Sequence, residues 1–207
     1  MGDYSTEYYF DVDGLARFIL IGAGHTVSGV SYNYPVGSPR YNWLASRIDE
    51  AKQAGMWVVV GMHKTCITAG NKPCEIGPDV LNLLLEKGVD LILQAHDHDY
   101  QRFKQLTCAQ VGAYAASCVA DDGADGCYVR GAGAVTVITG TIGGGGLTSI
   151  NTGDPEYGYV ANWMGSNSPN AGRGFMKYTV SPTQIRAQFV GSTTSFSDSF
   201  AIGQSCP

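Results

Sequence analysis

The stretch Gly88-Val-Asp-Leu-Ile-Leu-Gln-Ala-His-Asp-His-Asp-Tyr-Gln-Arg102 sets a run of aliphatic residues directly against a cluster of ionisable ones. Val89 to Leu93 reads as a strand buried on both faces, and two histidines, two aspartates, a tyrosine and an arginine follow at once. In open α/β sheets, ligands bind beyond the carboxyl ends of the strands, where loops carry polar groups that a core does not tolerate. Trp57 to Met62 repeats the arrangement, with His63 and Lys64 behind it. Parallel, neighbouring strands here would bring His63, His96 and His98 together at one sheet edge.

The chain around these strands alternates strand and helix. Tyr8–Asp13 and Ala16–Ile21 read as a hairpin about Gly14, and Gly22 to Gly37 as a long glycine-rich loop in which His25 is expected to pack as a loop residue. Ser38-Pro39 starts a helix with an apolar stripe of Leu44, Ile48 and Ala51, ended by Gly55. A second helix opens at Pro78, turns Leu81, Leu84 and Leu85 to the sheet and is capped by Gly88. This βαβ pattern implies a parallel sheet covered by helices. Val135–Thr139 reads as a further strand running into the glycine-rich turn Gly140–Gly146, and Asn151–Gly172 as an irregular surface loop. Three alternating segments, Phe175–Val180, Gln184–Val190 and Phe196–Ile202, give an antiparallel closing sheet. The expected class is α/β, a parallel or mixed sheet with a C-terminal antiparallel sheet, in one domain spanning residues 1–207.

With 207 residues, 44% of them hydrophobic and 15% charged, the chain can bury a sizeable core. The formal net charge of -5 and the absence of a basic cluster argue against a nucleic-acid-binding surface. No apolar run approaches the ~20 residues of a membrane span, and the Met1-Gly2-Asp3 start carries neither region of a signal peptide. Six cysteines without a Cys-x-x-Cys pair favour disulfides and a secreted or extracytoplasmic protein. Cys66 and Cys74 flank a short turn-rich loop and are the first expected pair. Cys118–Cys127 is the second, which leaves Cys108 with Cys206, as one choice among about 15 pairings.

Imidazole is the commonest neutral nitrogen ligand for first-row metals, so three histidines at strand ends point to a metal site at His63, His96 and His98. Asp97 and Asp99 are candidates to orient the imidazoles from behind, and Arg102 and Lys64 to meet an anionic substrate.

The segments Trp57–Lys64, Gly88–Arg102, Val135–Gly146 and Phe175–Ile202 resemble the C-terminal half of calcineurin-like metallophosphoesterases, most closely the purple acid phosphatase branch. His96-x-His98 with the following Tyr-x-Arg matches that family's Gly-His-x-His motif, except that Ala95 stands for the glycine. The resemblance implies a metal-dependent hydrolase of phosphate esters using one or two divalent ions, Zn or Fe/Mn. His63 and His96 would hold one ion and His98 the other. The family's upstream Asp-x-His, Gly-Asp and Gly-Asn-His motifs are not in this sequence. The expectation is therefore half of the family fold, a truncated form with reduced or altered activity unless His25, Asp3 or Asp11 replaces the missing ligands. Tyr8–Ile21 and Trp57–Met62 would then border an uncovered apolar face that drives self-association.

Two other readings compete. One is a catalytically silent metal-binding or structural module of the same fold. The other, a serine or cysteine hydrolase, lacks any Gly-x-Ser-x-Gly and has cysteines that read as paired.

Overall fold

The computed structural model describes residues 2–3 and 6–206. In chain order the strands are β1 (Gly2–Asp3), β2 (Glu7–Val12), β3 (Ala16–Ile21), β4 (Thr26–Val27), β5 (Val30–Ser31), β6 (Trp57–Gly61), β7 (Leu91–Gln94), β8 (Tyr100–Leu106), β9 (Val119–Asp121), β10 (Cys127–Val129), β11 (Ala134–Thr139), β12 (Val160–Met164), β13 (Gly174–Val180), β14 (Gln184–Gly191) and β15 (Ser199–Gly203). The helices are α1 (Pro39–Gln53) and α2 (Pro78–Glu86). The main sheet runs β1-β2-β3-β6-β7-β11-β8-β12, with β9 also on β8. Its centre, β3-β6-β7-β11, is parallel, and β2 and β8 flank it antiparallel. A second sheet has the order β10-β15-β14-β13.

Local chemistry sets the helices. The Ser38 side chain accepts from the Tyr41 N–H at 3.2 Å and Pro39 takes the first helical position, so α1 starts where its orphan N–H groups find an acceptor. Leu44, Ile48 and Ala51 are fully buried under it. Truncating Leu44 to alanine would cost about 2–5 kcal/mol. Gly55 and Gly88 sit at φ 72° and 59° just past the two helices, the left-handed region that lets a helix stop and the chain turn into a strand.

The period-2 pattern of the strands divides the core into two layers. On β6, Val58 and Val60 pack with the helices, whereas Trp57 and Val59 pack with Ile185, Ala187, Phe189 and Ile202 of the second sheet. The main sheet is thus covered by helices on one face and by the second sheet on the other. That cover stops at β3. Phe18 lies half-buried at its border, while Phe10 and Val12 on β2 are 43% and 41% exposed on the same face.

Three expectations need correction. Trp57–Met62 does not border the open face: β6 is an interior strand and Trp57 to Val60 are buried. The glycine-rich loop after β3 contains a small β4–β5 hairpin. Asn151–Gly172 is not irregular throughout, because Pro155–Tyr159 forms a 3-10 turn and β12 completes the main sheet. Residues after Tyr100 form β8, whose buried Gln101 and Gln105 look like surface residues in sequence. They are tolerated inside because each is hydrogen-bonded, Gln101 Oε1 to the Ala69 N–H at 2.8 Å and Gln105 Nε2 to the Val129 and Gly133 carbonyls at 2.8 and 3.0 Å.

All six cysteines are paired, as Cys66–Cys74, Cys108–Cys118 and Cys127–Cys206. The first matches expectation. The pairings Cys118–Cys127 and Cys108–Cys206 are not formed: the return of the chain along β9 brings Cys118 back beside Cys108, and β10 pairs with β15 close to Cys206. Sequence spacing carried no trace of the strand pairings that bring these residues together.

Candidate functional site

The β6–β7 register, Val60 to Ile92 and Gly61 to Leu93, places the carboxyl ends of the two strands side by side. His63 and His96 each lie two residues beyond their strand. The His63 carbonyl oxygen accepts from both the Ala95 and His96 N–H groups at 3.0 Å, tying one histidine's backbone to the other's. Their rings meet with His63 Nε2 and His96 Nδ1 2.9 Å apart and centroids 4.8 Å apart. His25, expected to pack as a loop residue unless it replaces a missing ligand, comes from beyond β3 and sets its ring 5.5 Å from His63.

A carboxylate stands behind the pair. Glu75 Oε2 faces His96 Nε2 at 3.0 Å, without in-line alignment, and Oε1 accepts from Lys64 Nζ at 2.8 Å. The Cys66–Cys74 bridge returns the chain to β6, and the Glu75 N–H donates to the Thr65 carbonyl at 2.9 Å. Glu75 was invisible as a site residue in the sequence. Its one signal was its position directly after Cys74, since pairing Cys66 with Cys74 returns residue 75 to the neighbourhood of His63.

The electrostatics favour neutral imidazoles over an ionised carboxylate. Partial burial holds His63 below its ordinary value, and the His96, His25 and Lys64 charges push the same way. Burial also lowers His96, with Glu75 opposing and Lys72 and Lys64 adding to the effect. Burial pushes Glu75 up, but the Lys64 hydrogen bond and the charges of His96, Lys64 and Lys72 outweigh it and leave the group below its ordinary value. Near neutral pH the imidazoles therefore keep lone pairs, which a metal ion or a proton requires.

The other expected residues lie elsewhere. His98 turns into the glycine turn, its Nδ1 3.3 Å from the Gly146 carbonyl and its backbone N–H on Thr148 Oγ1 at 3.1 Å. The turn lies against the ring, and a Cβ at Gly143 or Gly145 would be in ordinary contact with His98 at 3.5–3.6 Å. Arg173 holds it through the Gly143 and Gly145 carbonyls, each at 2.9 Å. Asp97 does not touch the imidazoles: it is fully buried and accepts from Thr68 Oγ1 at 2.7 Å and the Asn71 N–H at 3.0 Å, shaping the disulfide loop. Asp99 is fully buried with one oxygen on Gln101 Nε2 at 3.0 Å and the other unpaired. Arg102 is 5% exposed and pairs with Asp198 between the two sheets, not with the histidine surface. Asp11 is held by Arg17 at 2.7 and 2.8 Å, and the side chain of Asp3 is outside the described residues.

His63 stands between two open depressions, one of ≈ 410 Å³ lined by Leu20, Gly61 and Leu93 and one of ≈ 310 Å³ lined by Tyr8, His25 and Tyr32. A further depression, ≈ 550 Å³, is on the second sheet beside Lys177 and Arg186, away from the histidines. Among the described residues no group of three or more His, Cys, Asp or Glu side chains is gathered to hold a metal ion. The residues present fit such an ion in part, as two facing imidazole nitrogens with a carboxylate behind one of them.

The mixed sheet set between helices and a second sheet is a fold this chain shares with a solved purple acid phosphatase. The solved structures it is similar to include a purple acid phosphatase, PPD1, from yellow lupin (Lupinus luteus) seeds, with TM-score 0.68, 16% identity and coverage of 97% of this chain and 35% of that one. Others are GAP50, the anchor in the inner membrane complex of Plasmodium (TM-score 0.56, 16% identity, 95% and 53% covered), and PhoD (0.55, 13%, 96% and 42%). At these identities the likeness is one of fold, and the chain spans about a third to a half of those structures. No protein-family model matches the sequence, and no curated protein does.

Proposed function

We propose that this chain is a metal-dependent hydrolase of phosphate esters, with His63 and His96 as ligands of a divalent ion, Zn or Fe/Mn, and His98 as ligand of a second ion or as a substrate contact. The observation that carries the reading is the 2.9 Å approach of His63 Nε2 to His96 Nδ1 at the carboxyl ends of parallel strands. When bound, such an ion supplies Lewis acidity toward a phosphoryl oxygen. Lys64, beside Glu75, supplies a cation for the phosphate, and the flanking depressions admit the ester group.

Elemental analysis and hydrolysis of p-nitrophenyl phosphate test this. The expected result is metal in the purified protein, together with turnover that His63→Ala and His96→Ala both abolish. A metal-free protein that takes up neither Zn(II) nor Mn(II) would sink it.

A second reading, a silent metal-binding or structural module, is favoured by the lack of a three-ligand group among the described residues. The likeness to GAP50, an anchor in its own assembly, supports it. Metal uptake without turnover is the outcome it expects. Both readings place the protein outside the reducing cytosol, supported by three disulfides; no helix in the described residues is long and apolar enough to cross a membrane. Both also include self-association through the open β2–β3 face, supported by Phe10 and Val12.

A further inference from the structure

We propose that Glu75 is the positioning residue of the histidine pair: its Oε2 fixes the proton of His96 on Nε2, so that the Nδ1 lone pair is presented to His63 and to a shared ion. This deepens the metallohydrolase reading and rests on it for the ion alone. The geometry of the metal-free chain carries the rest.

Imidazole has two nitrogens, and which one keeps the proton is set by the partner of the other. His96 is held at both ends, with Nδ1 2.9 Å from His63 Nε2 and Nε2 3.0 Å from Glu75 Oε2. A carboxylate oxygen only accepts, so the nitrogen facing it has to be the donor for the contact to be favourable. Oε2 is buried and makes no well-aligned hydrogen bond with any described residue, and His96 Nε2 at 3.0 Å is the ring nitrogen that faces it. A buried acceptor without a donor is costly, which favours the tautomer that turns an N–H toward it.

The carboxylate is itself held. Lys64 Nζ takes Oε1 at 2.8 Å, and the Thr65 carbonyl accepts from the Glu75 and Ile76 N–H groups at 2.9 and 3.4 Å. Gly24 leaves room for this turn, since a Cβ there would lie 2.4 Å from the Glu75 carbonyl oxygen and 3.0 Å from Lys64 Cδ. Asp97 and Asp99, the nearer carboxylates in sequence, are both engaged away from the ring. Among the described residues, the disulfide loop is what delivers a carboxylate to the outer side of His96.

Two measurements on the intact chain decide it. In the metal-free protein, long-range ¹H–¹⁵N NMR should show His96 as the Nε2–H tautomer. Glu75→Gln, whose amide oxygen still accepts, should keep that tautomer, and Glu75→Ala should lose it. Co(II) titration followed by visible absorption should show Glu75→Ala binding about 10–100-fold more weakly than wild type, and Glu75→Gln close to wild type. An unchanged His96 tautomer in a folded Glu75→Ala, or wild-type Co(II) affinity in that variant, would overturn the proposal. A wild-type chain that takes up no Co(II) overturns the metal reading, and the tautomer measurement still decides the role of Glu75.

Discussion

The Arg102 guanidinium grips the Asp198 carboxylate with two nitrogens, Nε to Oδ2 at 2.7 Å and Nη2 to Oδ1 at 3.1 Å, across the seam between the two sheets. Nη1 reaches the Gly123 carbonyl at 3.2 Å and the Tyr128 hydroxyl. Removing one partner of a buried pair leaves the other charge uncompensated, at a cost of about 3–5 kcal/mol. Arg102→Ala is therefore expected to lower the urea midpoint steeply, and Arg102→Met with Asp198→Leu to recover most of the loss. A fully stable Arg102→Ala that has lost only activity would return Arg102 to substrate binding.

The three bridges should differ in weight. Cys127–Cys206 spans 79 residues, whereas Cys66–Cys74 and Cys108–Cys118 span 8 and 10. Restriction of the unfolded chain predicts about 4.5 kcal/mol for the long loop and about 2.5–2.7 for the short ones. Paired Cys→Ser variants, unfolded in guanidinium under non-reducing conditions, should follow that order. Equal losses for all three pairs would contradict the chain-entropy account here.

Asp99 predicts a pH dependence in the metal-free chain. Burial, with Asp97 adding and the Gln101 hydrogen bond opposing, pushes its carboxyl from an ordinary 3.8 up to about 8. The folded chain therefore keeps a proton that the unfolded chain releases. This contribution is fully present below the unfolded value and is lost as pH rises toward about 8, at up to about 1.4 kcal/mol per pH unit. Asp99→Asn should flatten that slope. The check is the difference in urea stability between the two proteins at several pH values, and parallel curves would show that Asp99 is already ionised in the fold.

Self-association through β2 and β3 predicts that Phe10→Ser with Val12→Thr lowers the sedimentation coefficient at micromolar concentration without lowering the thermal midpoint. Phe10 and Phe18 stack with ring centroids 5.2 Å apart, so the double change removes the exposed part of a continuous apolar strip. A wild-type protein that sediments as a monomer throughout would remove the idea.

Much of the scaffold was legible because its signals are local. Ser38-Pro39, the Leu44/Ile48/Ala51 stripe, Pro78 and the aliphatic strands each state their structure within a few residues. The site was only half legible. His63 and His96 could be placed from strand ends, because neighbouring parallel strands end together. His98 and Arg102, close neighbours of His96 in sequence, point to the glycine turn and the inter-sheet seam. His96 and His98 lie in the turn between β7 and β8, where no strand period applies, and Arg102 lies on β8, so the three side chains part in a way that spacing does not state. Glu75, Asp198 and the partners of Cys108 and Cys127 depended on contacts between distant segments, which no local pattern encodes.

The insertion of β11 between β7 and β8 has a price in time. Sheet order departs from chain order here, so β8 leaves the ribosome before β11 and β12, the strands that will pair along both of its edges. Roughly 30 residues separate the end of β8 from the start of β11 and more separate it from β12, which at ~5–20 residues per second leaves those edges open for seconds during synthesis. The polar Gln101, Arg102, Lys104 and Gln105 keep this waiting strand hydrated, and so suit the nascent chain as well as the folded one.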